Sequence, residues 1–260
     1  MSRIALGLWL AVPLFANGCA NFIETRAITR FADALEEKNV AELKARSTED
    51  FEKRALRTDE AVDDFEILNL PEGKVTIARV DDVSPDEKRV VVEVGENKRR
   101  LQYTLVRDTK TKKWLVDDIT VKQSRSDLTA AKSVTEQMDL LISLREFVDA
   151  CKNKDRDRIL GAMTPELRTL VEGLPPACLA KLTSQVANEK SSRRKSRPKA
   201  QMDESAATVE LYRNGGDLLV TFKLVNGSWK VADAAVESRK DGKHLPSLEK
   251  TATVMKVAFT

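Results

Sequence analysis

Apolar positions along this chain change their spacing in the same order twice. Ile28, Phe31 and Leu35 recur at steps of three and four, and Leu140, Leu144, Phe147 and Cys151 do likewise. Each set forms one stripe of a long helix. Short helices are predicted from Val40 to Arg46 and from Arg156 to Ala162. Thr48 and Thr164 read as N-caps of a further helix, with Pro165 at the first helical position of the second. The period then becomes two, as expected for strands with one buried face. Val75, Ile77 and Arg79 alternate, followed by Val90, Val92 and Val94, then Leu101, Tyr103 and Leu105, then Trp114, Val116 and Asp118. Later in the chain Val209 with Leu211, Leu218 with Val220 and Phe222, and Trp229 with Val231 repeat the alternation. Asn226-Gly227 between the last two runs is a two-residue hairpin signal, since both residues accept positive φ. Helices first and hairpin-linked strands afterwards predict an α+β class with antiparallel sheets.

The two passages are copies of one pattern. Phe31-Ala32-Asp33-Ala34-Leu35 returns as Phe147-Val148-Asp149-Ala150-Cys151, an offset of 116, and Ile28, Lys38, Leu43 and Thr48 meet Leu144, Lys154, Ile159 and Thr164. Trp114-Leu115-Val116-Asp117-Asp118 pairs with Trp229-Lys230-Val231-Ala232-Asp233 at offset 115. A tandem duplication is the reading. The second copy departs from the first where its opening strand should lie, because Ser191 to Lys195 is no strand sequence. That strand is either replaced by a loop or reduced to a few residues near Pro198–Met202.

The N-terminus belongs to neither copy. Arg3 is its only charge, and Ile4 to Phe15 is an apolar run of twelve. That is too short to span a bilayer of about 30 Å as a helix and suits a signal-peptide core. With Ala16 and Gly18 before Cys19, the segment resembles a bacterial lipoprotein signal, although Ala16 stands where leucine is commonest and Asn17 is untypical. The resemblance implies acylation of Cys19, a palmitate-type anchor and a periplasmic location. Ala20, where aspartate would favour inner-membrane retention, leans toward the periplasmic face of the outer membrane. Ordinary cleavage nearby and an uncleaved anchor stay open. The expected organisation is a signal peptide over 1–18, repeats over 19–127 and 128–242 with a basic insert at 188–203, and a tail over 243–260.

The order of elements and the W-x-V-x-D ending resemble the nuclear transport factor 2-like superfamily, which includes ketosteroid isomerase and scytalone dehydratase. The resemblance covers about residues 24–124 and 138–240. It implies two cone-like domains, each a curved sheet wrapped around the first helix with a pocket at the open end.

Composition narrows the chemistry. The 260 residues hold 44 basic and 41 acidic side chains, so no global field draws in nucleic acid. Aromatics make up 5%, too few for a base-stacking platform. The single histidine, His244, lies in the tail, which leaves no histidine inside either repeat. No zinc-ligand spacing exists, and no cofactor is implied. Asp33 and Asp149 fall away from the apolar stripes and read as solvent-facing. Asp118 and Asp233 alternate in phase with the apolar strand residues, which makes them the pocket acids to inspect; a hydrogen-bonded structural role competes with a general base. Trp114 and Trp229 read as core residues. Cys151 and Cys178 allow a disulfide in an oxidising compartment, but Cys151 also reads as a small buried apolar residue replacing Leu35. Lys190, Arg193, Arg194, Lys195, Arg197 and Lys199 give six cations in ten residues. They suit an anionic lipid, an envelope polymer or an acidic protein, and equally a solvated loop. The expectation is a lipid-anchored envelope protein that works as a non-catalytic binding or interaction module. The alternative is a pocket that binds or transforms a small apolar ligand in the manner of ketosteroid isomerase.

Overall fold

A computed structural model describes residues 21–121, 132–187, 198–213, 216–237 and 246–259. The chain is mixed helix and sheet, with antiparallel sheets in two compact units. No helix among the described residues is long and apolar enough to cross a membrane.

The first unit takes the described residues up to Thr48 and those from Pro71 to Val121. It contains α1 (Phe22–Glu36), α2 (Val40–Arg46) and the strands β1 (Val75–Ser84), β2 (Glu87–Val94), β3 (Arg99–Arg107) and β4 (Trp114–Val121). Each strand pairs with the next through a hairpin. Ile28 and Phe31 of the predicted α1 stripe are buried together with Ala34, while Leu35 is half-buried; Leu101, Tyr103 and Leu105 bury alternate positions of β3. Phe31 and Tyr103 meet edge to face at 6.5 Å between ring centres.

The second unit takes residues 49–70 and the described residues beyond 123. Its helices are α3 (Glu49–Ala55), α4 (Ala61–Leu68), α5 (Val134–Asn153), α6 (Arg156–Ala162), α7 (Pro165–Glu172), α8 (Pro176–Ala187) and α9 (Leu248–Phe259). A two-residue strand β5 (Lys132–Ser133) leads into α5, and the unit's sheet is β6 (Lys199–Met202), β7 (Ala206–Leu211), β8 (Asp217–Val225) and β9 (Ser228–Glu237). The opening strand of the second copy is thus present but only four residues long. Asn226 and Gly227 make the β8–β9 hairpin with φ of 50° and 76°.

Two allegiances differ from the order of the sequence. Residues 49–70 belong to the first repeat by sequence and to the second unit by packing. The C-terminal α9, in the segment read as a tail, packs on α7, α8 and β9. The cause of the first is visible on α5. Met138, Leu140, Leu141, Ile142, Leu144 and Phe147 are all buried, so this helix is apolar on more than one side. The sheet and α8 cover one side, and α3 and α4 cover another.

The offset of 115–116 persists in hydrogen bonds. Lys38 and Lys154 both adopt positive φ, at 53° and 56°. The next residues, Asn39 and Asp155, return their N–H groups to Ala34 and Ala150. Each side chain then accepts from the backbone of Glu42 or Arg158 at 3.1 Å, capping α2 or α6. Thr48 and Thr164 donate backbone N–H to the carbonyls of Val116 and Val231, both at 2.9 Å. Thr164 also caps α7 through its hydroxyl, while the Thr48 hydroxyl donates to Asp117 Oδ1 at 2.7 Å.

Candidate functional site

The two acids singled out in the sequence are turned by a β-bulge. In the first unit Thr104 pairs with Asp118 and Leu105 with Val116, which leaves Asp117 as the extra residue. In the second Thr221 pairs with Asp233 and Phe222 with Val231, which leaves Ala232. An extra residue reverses the alternation beyond it. Ile119 and Ala234 therefore enter the core, while Asp118 and Asp233 stand half-buried on the other face. The expectation of an inward phase for these acids is corrected by that bulge. Asp233 has a structural task, since its Oδ1 accepts from Glu249 N–H at 3.0 Å in the first turn of α9 and from Ala234 N–H at 2.8 Å.

Asp33 is exposed and Asp149 is half-buried beside Lys152 at 3.2 Å, so both lie off the apolar stripe as the helical wheel requires. Trp229 is buried; Trp114 is half-buried beneath the Lys88 ammonium, 5.1 Å from the ring centre.

Cys151 and Cys178 are free thiols, so the disulfide alternative is not realised. Cys151 lines a groove of about 220 Å³ with Lys152, Lys154, Ala180, Thr183, Ser184 and Ala187. It therefore sits beside the later turns of α8, whereas Cys178 lies in the first turn, at least several ångströms away along an axis rising 1.5 Å per residue. Burial pushes the Cys151 thiol up to about 12. It is a protonated core residue at neutral pH and a poor nucleophile.

Cys19, His244 and the basic residues Lys190, Arg193, Arg194, Lys195 and Arg197 lie outside the described residues. Lys199 is exposed in β6, opposite Glu210, with its ammonium 5.1 Å from the Tyr212 ring centre.

Periodicity did not reveal an ionic layer on α5 in the second unit. Arg57, between α3 and α4, spreads its guanidinium across about two turns of α5. It reaches Asp139 Oδ1 at 2.5 Å, Ser143 Oγ at 2.9 Å and both oxygens of Glu146 at 3.1 and 3.2 Å. These three acceptors follow the i, i+4, i+7 rule for one helix face. Nearby, Arg145 of α5 pairs with Asp64 of α4. Asp64 and Asp139 are 4% and 6% exposed, so their charges are largely removed from water. Burial dominates over the opposing attraction of Arg145 and holds Asp64 up at about 6. Asp139 is raised in the same direction, again chiefly by burial, despite Arg57. Four side-chain atoms of this region, Arg54 Nε, Thr58 Oγ1, Asp64 Oδ2 and Arg145 Nη1, are buried without a hydrogen-bond partner. The layer could have been suspected from the apolar run around Asp139, which leaves α5 no single solvent side.

The layer and the groove share no residue. A carboxyl that exchanges its proton near neutrality is thus separate from the cavity, and the groove is below the several hundred Å³ usual for a small-molecule site. Among the described residues no three His, Cys, Asp or Glu side chains gather as metal ligands. The chain matches no protein-family model, no curated protein and no solved structure.

Proposed function

We propose that this chain is a lipid-anchored cell-envelope protein whose two α+β units, of the nuclear transport factor 2-like cone type, act as a binding or interaction module without catalysis. The observation that carries the reading is the repeated bulge. It keeps the acids of the W-x-V-x-D endings off the core face and brings Ile119 and Ala234 there instead. In the second unit, Phe147, Met163, Leu218, Val220, Phe222 and Trp229 join one continuous apolar core that extends to Leu248 and Ala252 of α9. A filled interior supports recognition by outer surfaces over transformation of an enclosed ligand. The signal-like N-terminus ending at Cys19 supports the anchor, and acyl chains contribute about 0.8 kcal/mol per buried methylene. The anchor places the protein in the envelope, with the periplasmic face of the outer membrane preferred over the inner membrane. An acidic protein or an anionic envelope polymer is the partner class suited to the Lys190–Lys199 segment.

The test is mass spectrometry of the mature N-terminus together with fractionation of Cys19→Ser cells. Acylated Cys19, and loss of the variant from the membrane fraction, are expected. An unmodified N-terminus elsewhere overturns the anchor. Cross-linking in native envelopes, with and without residues 190–199, tests the partner class. Unchanged cross-links after the deletion remove the basic segment from recognition.

A further inference from the structure

We infer that one end of the first unit is a bilayer-contacting face, formed by Phe22, Ile23 and Val83 and flanked by Lys110, Lys112 and Lys113. The inference rests on acylation of Cys19 for its orientation, although the face itself is a feature of the folded unit.

Spacing supplies the first argument. The α1 helix starts at Phe22, and the Asn21 carbonyl already accepts the N–H of Thr25 at 2.9 Å. Cys19 stands three residues before Phe22, and three residues span at most about 10 Å. An acylated cysteine sits where hydrocarbon meets headgroups, and the headgroup layer on each side is about 5–8 Å thick. Even fully extended, the linker lifts Phe22 at most a few ångströms beyond the headgroups, which keeps the start of α1 at the bilayer surface.

What stands there is suited to that surface. Phe22 and Ile23 are 64% and 61% exposed, an adjacent pair of large apolar side chains at the first helical positions. Val83, 47% exposed, stands next to last in β1, before the Pro85-Asp86 turn. A chain of contacts brings these elements to one end. Lys88 Nζ donates to Glu24 Oε1 at 2.6 Å, pairs with Asp82 at 3.2 Å and covers Trp114. Trp114 pairs with Arg107 in the ladder, and between them runs the turn carrying Lys110, Lys112 and Lys113, all exposed. The one carboxylate in that turn, Asp108, is occupied by the N–H and hydroxyl of Thr111 at 2.5 and 2.7 Å. The lysines are therefore placed for anionic headgroups while the apolar residues enter the interface.

The mature chain carrying Cys19→Ser, mixed with vesicles of phosphatidylethanolamine and about a quarter phosphatidylglycerol, tests the face without the acyl chain. It should float with the vesicles. Phe22→Ser with Ile23→Ser should lower partitioning roughly tenfold by removing buried apolar area. Lys110→Glu with Lys113→Glu should lower it about tenfold or more at low salt, with the difference shrinking in high salt. Absence of flotation at millimolar lipid, or flotation indifferent to both pairs, overturns the face. In the acylated chain, brominated lipid should quench Phe22→Trp but not Glu96→Trp, which lies in the turn beyond the far end of β2, whose run from Lys88 to Val94 is about 20 Å. Equal quenching of the two also overturns it. Flotation with an unmodified native Cys19 would sink the anchor alone; an acylated Cys19 without flotation would sink the face alone.

Discussion

Asp64 is the residue whose environment and ionisation disagree most usefully. A carboxyl normally titrating near 4 is held at about 6 because burial outweighs the charge of Arg145. The folded chain therefore binds this proton more tightly than the unfolded chain does. Stability from this group is fully present below the ordinary carboxylate value and is lost as pH rises from about 4 to about 6. Two pK units correspond to on the order of 2–3 kcal/mol. Asp139 titrates with the same sign, so the two residues reinforce one another. Chemical denaturation of the wild type and Asp64→Asn across pH 3.5 to 7.5 measures this. The wild type should lose its advantage over the variant by about 2 kcal/mol through that window. A constant difference would show that Asp64 binds its proton equally in the folded and unfolded chains. Cys151 is the contrasting residue: its proton, held until about pH 12, is a consequence of core packing and has no reach into neutral conditions.

At the scale of elements, Arg57 is what ties the α3–α4 segment to α5. Its planar guanidinium bonds three side chains of that helix at once, which a lysine ammonium does not match. Arg57→Ala leaves Asp139 buried without its principal partner and should destabilise the protein by about 3 kcal/mol. Arg57→Lys should restore part of that. Hydrogen exchange should speed up first in residues 49–70, before the β8–β9 hairpin. Uniform acceleration of both would mean that α3 and α4 unfold only with the whole unit. The sequence was informative about elements whose signals are local. Thr164 fixes the start of α7, Asn226-Gly227 fixes a turn, and α2 and α6 span the ranges expected, although their caps Asn39 and Asp155 are seen only in the structure. The bulge was legible only in retrospect, in the step of three from Val116 to Ile119 and from Val231 to Ala234 where a regular strand steps by two. The α5 partners of Arg57 lie 82 to 89 residues away, so no window of local pattern contains them. The candidate acids were therefore placed on the right strands and on the wrong face, and the ionic layer had only the apolar run around Asp139 as a local sign.

At the scale of the whole chain, the two units interleave. Residues 49–70 leave the first unit's sequence, build part of the second and return before β1. A division at residue 127, which the repeat boundary invites, would thus remove α3 and α4 from the helix they cover. In a chain starting at residue 128, α5 would lose the cover of α3 and α4, and Asp139 and Arg145 would lose Arg57 and Asp64. An exposed apolar side with two unpaired charges is a poor surface for a folded domain. That fragment should retain helix by far-UV circular dichroism, bind a hydrophobic dye and unfold with a broadened transition, the signs of lost specific packing. Adding a peptide of residues 49–70 should sharpen the transition and displace the dye, because the missing element is supplied in trans. The same peptide with Arg57→Ala and Asp64→Ala should do so poorly, which separates recognition by the ionic layer from general coverage of apolar surface. A fragment that folds cooperatively on its own would show that α3 and α4 are ornaments of the second unit. Rescue by the native peptide alone would show that the second copy completes its fold with a segment written in the first.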